Sequence, residues 1–393
     1  MNSENNNNAK RKVLVLLALL MAVCIVLMAL SISAILGSRK SSGGTYVEVA
    51  SYTEASVTPA PVQTPSPAPC AHPSHSEQGL CSLCGEKLCH EYISGVCSCG
   101  KPLEFETGSI DESLWLPCDH RGTLRTLEYQ TRDEYYGGDR LFTKTLDVYL
   151  PYGYSEENRY DVLILLHGTK GSSGYWFSEE RGYCYGDSRS DEWGSFMTVI
   201  DNMIENRLCE PLIIVSPTYY LTDAERHSGD NLDRDITRMR YETVNSILPY
   251  IIENFSTYAE GSTYSEMCAA RNHFGFIGAS YGGILAYKSI LTYDIDVFSW
   301  IGSISGGLAD AAYIEYTWDQ LGFDGLGIDY LYNSAGDRDS MRKDALESYH
   351  AVLSCSKLDD TNCCMCTIDN ASHEDRVWDN GIYNCLQFFF AGY

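Results

Sequence analysis

Residues Phe274 to Tyr287 read FGFIGASYGGILAY, an apolar run that stops at Ser280 between Gly278 and Gly282 and resumes with helical spacing. A strand that turns this sharply into a helix needs residues without side chains on both flanks of the turn. It also needs a sheet to end on. The chain supplies one: from about residue 105 onward, short β-rich runs alternate with longer helix-compatible stretches, the pattern of a mostly parallel sheet flanked by helices. LDVYL (146–150), DVLILL (161–166), PLIIVS (211–216), HFGFIG (273–278), WIGSIS (300–305), DYLYNS (329–334) and CMCTI (364–368) read as strands. Helices are expected over 196–206, 238–255, 282–291, 342–354 and 380–390.

Upstream of this domain the composition changes three times. Lys10-Arg11-Lys12 precede Val13 to Leu36, a stretch without a charged residue. As a helix it is about 36 Å long, against a hydrocarbon core of ~30 Å. The expectation is a cytoplasmic N-terminus (1–12), a transmembrane signal anchor (13–36) and everything beyond residue 40 outside the cell. The alternative is a secreted protein whose signal is cleaved near Ser31-Ile32-Ser33-Ala34, although an apolar signal core normally spans only ~7–15 residues. Residues 37–69, rich in Ser, Thr, Pro and Ala, lack apolar periodicity and read as a disordered linker.

A Cys/His module follows at 70–101. It contains an imperfect repeat: Cys70, His72 or His75, Cys81 and Cys84, then Cys89, His90, Cys97 and Cys99. Cys-x2-Cys-Gly points two thiolates at one ion, and a further Cys and His complete a tetrahedron, so structural zinc held by Cys70, His75, Cys81, Cys84 and by Cys89, His90, Cys97, Cys99 is one reading. Disulfides are the other, favoured by the extracytoplasmic setting. The spacing is similar to small zinc-ribbon-like knobs on bacterial surface proteins. The formal net charge of −25 argues against a nucleic-acid partner, since phosphate binding needs clustered Lys and Arg.

The chemistry is read from the turn at Ser280. Gly278-Ala279-Ser280-Tyr281-Gly282 fits G-x-S-x-G, the elbow that presents a nucleophilic serine in α/β-hydrolases, where the acid and then the histidine follow in the chain. Only His350 and His373 lie after Ser280. His350 falls inside a predicted helix, whereas His373 follows the last predicted strand, where such folds present the base. After DYLYNS, AGDRDSM offers Asp337 and Asp339 as the acid that fixes the imidazole tautomer. Two backbone N–H groups are expected to hold the oxyanion: that of Tyr281, and that of Thr169 after the His167-Gly168 turn. Aromatics in predicted loops (Tyr175, Trp176, Tyr183, Tyr185, Trp193, Tyr219, Tyr220) are candidates to stack on substrate rings.

From LDVYLPYGYSEENRYDVLILLHG through GASYGG and AGDRDS to SHEDRVWDNGIYNCLQFFF, the chain resembles the feruloyl and acetyl-xylan esterases, with esterase D and the antigen 85 mycolyltransferases nearby. The resemblance covers about residues 120–393, within an esterase domain placed at 105–393. It implies a serine carboxylic-ester hydrolase that removes feruloyl or acetyl groups from plant xylan without a catalytic cofactor. It also implies that the acid is the last residue of a G-x-x-D loop, which selects Asp339. Tyr281 stands where Met or Leu is usual, and Ser372 where Gly usually precedes the histidine. An acyltransferase on the same triad, or a surface adhesin that keeps only the fold, are the rival expectations.

Overall fold

The computed structural model describes residues 91–93, 96–97, 109–138, 140–177 and 196–391, all within one compact unit spanning residues 69–393. The predicted anchor and linker, and all the predicted zinc ligands except Cys97, lie outside the described residues. Among the described residues no helix is long and apolar enough to cross a membrane.

Among the described residues ten strands form one sheet: β1 (Glu91–Ile93), β2 (Val96–Cys97), β3 (Thr123–Arg132), β4 (Leu141–Leu150), β5 (Asp161–Leu166), β6 (Leu212–Ser216), β7 (Phe274–Ala279), β8 (Trp300–Ile304), β9 (Tyr330–Gly336) and β10 (Cys363–Ile368), in the order β2-β1-β10-β9-β8-β7-β5-β6-β4-β3. The run from β1 to β6 across the middle is parallel, and β2, β4 and β3 add antiparallel edges. Helices α1 (Phe196–Glu205), α2 (Asp223–Ser228), α3 (Leu232–Glu242), α4 (Leu248–Asn254), α5 (Tyr264–Ala269), α6 (Tyr281–Leu285), α7 (Ala311–Leu321) and α8 (Arg342–Val352) lie between the strands, and α9 (Asp375–Leu386) follows the last.

Why DVLILL is apolar without alternation is visible in its packing. Val162, Ile164 and Leu166 join the core on one face of the sheet with Phe274, Phe276, Leu285 and Ile290. Leu163 and Leu165 join the core on the other with Ile277, Tyr332, Val377 and Phe389. A parallel strand covered by helices on both sides has no polar face to show. Cutting any of these fully buried leucines or isoleucines to alanine costs about 2–5 kcal/mol.

All seven predicted strands are present, and β4 begins at Leu141, five residues earlier than its apolar core. β3 was not visible in the sequence: TLRTLEYQTR is exposed over most of its length, with the polar and charged residues that keep an edge strand from pairing with other molecules. The predicted helix 238–255 is three pieces, α3, a π-helical segment Thr243–Ile247, and α4. Part of the predicted Cys/His module also belongs to this sheet. β1 runs parallel to β10, with Tyr92 opposite Cys366, and Cys97 is buried on β2 beside Tyr92.

Candidate active site

β7 delivers Ser280 at the carboxyl end of the sheet. The residue has φ 56° and ψ −120°, a conformation that non-glycine residues rarely adopt. Its N–H donates to the carbonyl of Ile304 on β8 at 2.8 Å, and α6 starts at the next residue. The glycines make this possible. A Cβ on Gly278 would lie 2.1 Å from the carbonyl oxygen of Gly282, and one on Gly282 would lie 2.6 Å from that of His167. Both obstacles are backbone, so neither position accepts even alanine without displacing the turn.

His373 arrives in the loop between β10 and α9. Its Nε2 lies 2.8 Å from Ser280 Oγ, and its Nδ1 lies 2.9 Å from Asp339 Oδ1. With Nδ1–H donated to the carboxylate, Nε2 is left to accept the serine hydroxyl. The Asp339 side chain is fully buried and takes two further hydrogen bonds, from Ser305 Oγ at 2.5 Å and from the Met341 N–H at 2.7 Å. Burial pushes this carboxyl up, but the bonds from His373, Ser305 and Met341 outweigh it and hold it below the usual carboxylate range.

Asp337 is placed differently. Its carboxylate accepts the N–H of Ala371 at 3.0 Å and its own N–H reaches Ile368 O, so it fastens the loop that carries His373. Asp375 accepts the Tyr175 hydroxyl. His350 lies exposed on α8, away from these contacts.

The second expected oxyanion donor lies in the turn after β5. A Cβ on Gly168 would come within 2.9 Å of Ser280 Cβ and 3.4 Å of its Oγ, which sets the His167–Thr169 turn directly against the serine. Tyr281 occupies the first position of α6, where N–H groups have no partner within the helix and the helix dipole favours negative charge.

A polar network fixes this turn. His167 is fully buried, with Nδ1 2.7 Å from Gly168 O and Nε2 2.8 Å from Thr218 Oγ1. Burial lowers its pKa to about 4, so the ring is neutral at pH 7. The Tyr220 hydroxyl accepts the N–H of Lys170 at 2.8 Å and donates to Asp230 Oδ1 at 2.5 Å. Asp230 Oδ2 takes the Thr169 hydroxyl at 2.7 Å, and the Tyr219 hydroxyl donates to Gly168 O at 3.1 Å.

This corrects the expectation for the loop aromatics. Trp176, Tyr219 and Tyr220 are buried and serve the scaffold, and of the three only Tyr220 borders a cleft. Tyr183, Tyr185 and Trp193 lie outside the described residues. Tyr175 remains near the site, 6.1 Å from Trp378, whose ring meets His373 edge-on at 5.5 Å. Sequence reading missed Asp230 and Ser305, because each acts through contacts distant in the chain and neither belongs to a local motif.

The chain is similar to known proteins. Residues 143–380 fit the family model named Esterase. The chain belongs to that family. It is therefore a carboxylic ester hydrolase, built on the α/β-hydrolase fold. Endo-1,4-beta-xylanase Y of Acetivibrio thermocellus is 29% identical to the esterase over 195 residues, half of this chain but only 15% of that protein's length. A feruloyl esterase module from Clostridium thermocellum, solved in complex with sinapinate, superposes with a TM-score of 0.60 at 22% identity, covering 74% of this chain and 96% of its own. A ferulic acid esterase from the fungus Anaeromyces mucronatus, in complex with ferulic acid, gives 0.54 at 17%, covering 73% and 98%.

Among the described residues no thiol has a comparable setting. Burial pushes Cys209 and Cys355 up to about 12 and Cys268 up to about 11, which keeps them protonated and unreactive. Among the described residues no group of three or more His, Cys, Asp and Glu side chains is arranged to hold a metal ion.

Proposed function

We propose that this esterase removes feruloyl or acetyl groups from plant xylan through a covalent acyl-enzyme on Ser280. The observation that carries the reading is the unbroken hydrogen-bonded line from Ser280 Oγ through His373 to buried Asp339. Ser280 Oγ attacks the ester carbonyl while His373 Nε2 takes its proton, and Asp339 stabilises the imidazolium. The N–H groups of Tyr281 and Thr169 hold the oxyanion. As the tetrahedral intermediate collapses, the sugar oxygen leaves with the proton from His373. Water, deprotonated by the same imidazole, then attacks the acyl carbonyl, and the freed acid departs as Ser280 recovers its proton.

The substrate class is supported by the feruloyl esterases that share the fold and by the xylanase relative. The site uses no metal or organic cofactor in these steps. The apolar run behind Lys10-Arg11-Lys12 supports an extracellular enzyme anchored in the cell membrane, and the Cys/His spacing supports structural zinc in 70–101. The test is turnover of p-nitrophenyl acetate, methyl ferulate and acetylated xylo-oligosaccharides by the wild type and by Ser280→Ala. Loss of all turnover in the variant is expected, and retained activity removes Ser280 from the mechanism.

A further inference from the structure

A cleft of about 330 Å³ with a mixed polar and apolar lining opens beside the turn that meets Ser280. Three segments wall it: Thr143 to Thr145 at the start of β4, Ser172 and Ser173 after β5, and Thr218, Tyr220 to Asp223 and Arg226 after β6. All three lie at the carboxyl end of the parallel sheet, where ligands of open α/β folds bind. The register fixes this for β4: Asp147 pairs antiparallel with Ser216, the last residue of β6, so Thr145 and Thr143 project beyond that end. One loop serves both places, since Gly168 touches Ser280 while Ser172, four residues on, lines the cleft.

The cleft's chemistry selects an uncharged polyol. Its charged side chains are matched internally. Lys144 Nζ lies 2.8 Å from Glu242 and donates to Thr218 O, and Arg226 Nη2 lies 2.6 Å from Asp223. Among the described residues these pairs leave the lining without net charge, so an ion has no electrostatic advantage over a neutral ligand. What remains are the hydroxyls of Thr145 and Ser172, those of Thr143 and Thr222, which accept from Gln130 Nε2 and the Glu225 N–H and keep a proton to donate, and one donor out of place: Nε of Arg226 is buried without a hydrogen-bond partner among the described residues. A buried donor left unmade costs about 1–3 kcal/mol, which an acceptor oxygen recovers. The volume lies at the low end of small-molecule sites, room for one or two sugar rings.

We propose that this cleft is a saccharide subsite, in which Arg226 and the threonine hydroxyls hold a neutral sugar unit on the alcohol side of the scissile ester. This rests on the reading of Ser280 as the nucleophile of a polysaccharide esterase. It adds that the sugar, and not only the acyl group, is recognised.

The experiment compares two esters of one acid, a feruloylated arabinoxylo-oligosaccharide and methyl ferulate, in the wild type, Arg226→Met and Thr145→Val, with thermal midpoints checking the fold. For the oligosaccharide ester, KM is expected to rise roughly two- to tenfold in each variant, the value of one lost hydrogen bond, with kcat unchanged. Methyl ferulate kinetics are expected to stay the same. Equal kinetics on the oligosaccharide ester in all three proteins, or parallel changes on both esters, overturn the subsite. Absence of turnover on either ester by the wild type overturns the esterase reading instead. In that event calorimetric titration of the unesterified oligosaccharide decides the cleft: heat in the wild type that is lost in Arg226→Met sustains it, and no heat in either sinks it.

Discussion

Asp230 gives the sharpest test of how the oxyanion turn is held. It touches neither Ser280 nor His373, yet it receives the Tyr220 hydroxyl at 2.5 Å, the Thr169 hydroxyl at 2.7 Å and, more weakly, the Tyr219 hydroxyl at 3.4 Å. Through Tyr220 it also steadies the Lys170 N–H. Replacing it with alanine frees both sides of the residue whose N–H is assigned to the oxyanion. Two magnitudes bound the outcome. Complete loss of one oxyanion donor costs about 10²–10³ in kcat, or ~2.7–4 kcal/mol. The stability cost is about 1–3 kcal/mol, because the buried Tyr220 hydroxyl loses its acceptor while the exposed Thr169 hydroxyl can turn to water. We expect Asp230→Ala to lower kcat on p-nitrophenyl acetate by about 10- to 100-fold at nearly constant KM, since the loosened donor matters most when charge develops. Asp230→Asn keeps an acceptor and should recover most of the rate. A folded Asp230→Ala protein with kcat within twofold of wild type would refute this account, as would an Asn variant no better than the Ala one.

Asp339→Asn should lower kcat by about 10⁴ through the wrong imidazole tautomer, while Asp337→Asn, which only weakens a loop contact, should stay within about tenfold; steady-state kinetics of the pair separates them. His167 makes stability depend on pH. An unfolded chain takes up this proton near 6.5, but the folded protein resists until about 4. Its contribution is therefore intact above ~6.5 and lost as pH falls towards ~4, a change of about 3 kcal/mol. Urea midpoints across that range should fall more steeply for wild type than for His167→Gln. Gly278→Ala should abolish activity and leave little folded protein, because its Cβ meets backbone at 2.1 Å; soluble, active enzyme would mean the turn relaxes cheaply.

Legibility in the sequence followed the range of the interactions. The elbow, the central strands and the histidine loop were readable because periodicity, glycine placement and chain order are local or ordinal signals. Choosing between Asp337 and Asp339 was harder, since two residues of one loop face opposite tasks: one is buried under Ser305 and His373, the other clips Ala371. Buried Tyr219 and Tyr220 show the reverse failure. Loop position suggested exposed rings, but their hydroxyls had carboxylate and backbone partners that only the folded chain brings near. β3 escaped because a solvated edge strand carries almost no hydrophobic pattern.

The short pairing of β1 with β10 ties the N-terminal Cys/His segment to the strand that leads into the His373 loop. An enzyme trimmed at residue 105 would leave the backbone edge of β10 bare over Met365 to Thr367, open to strand exchange with a neighbouring molecule. The segment thus serves as a selvage that stops the fabric of the sheet from fraying next to its working end.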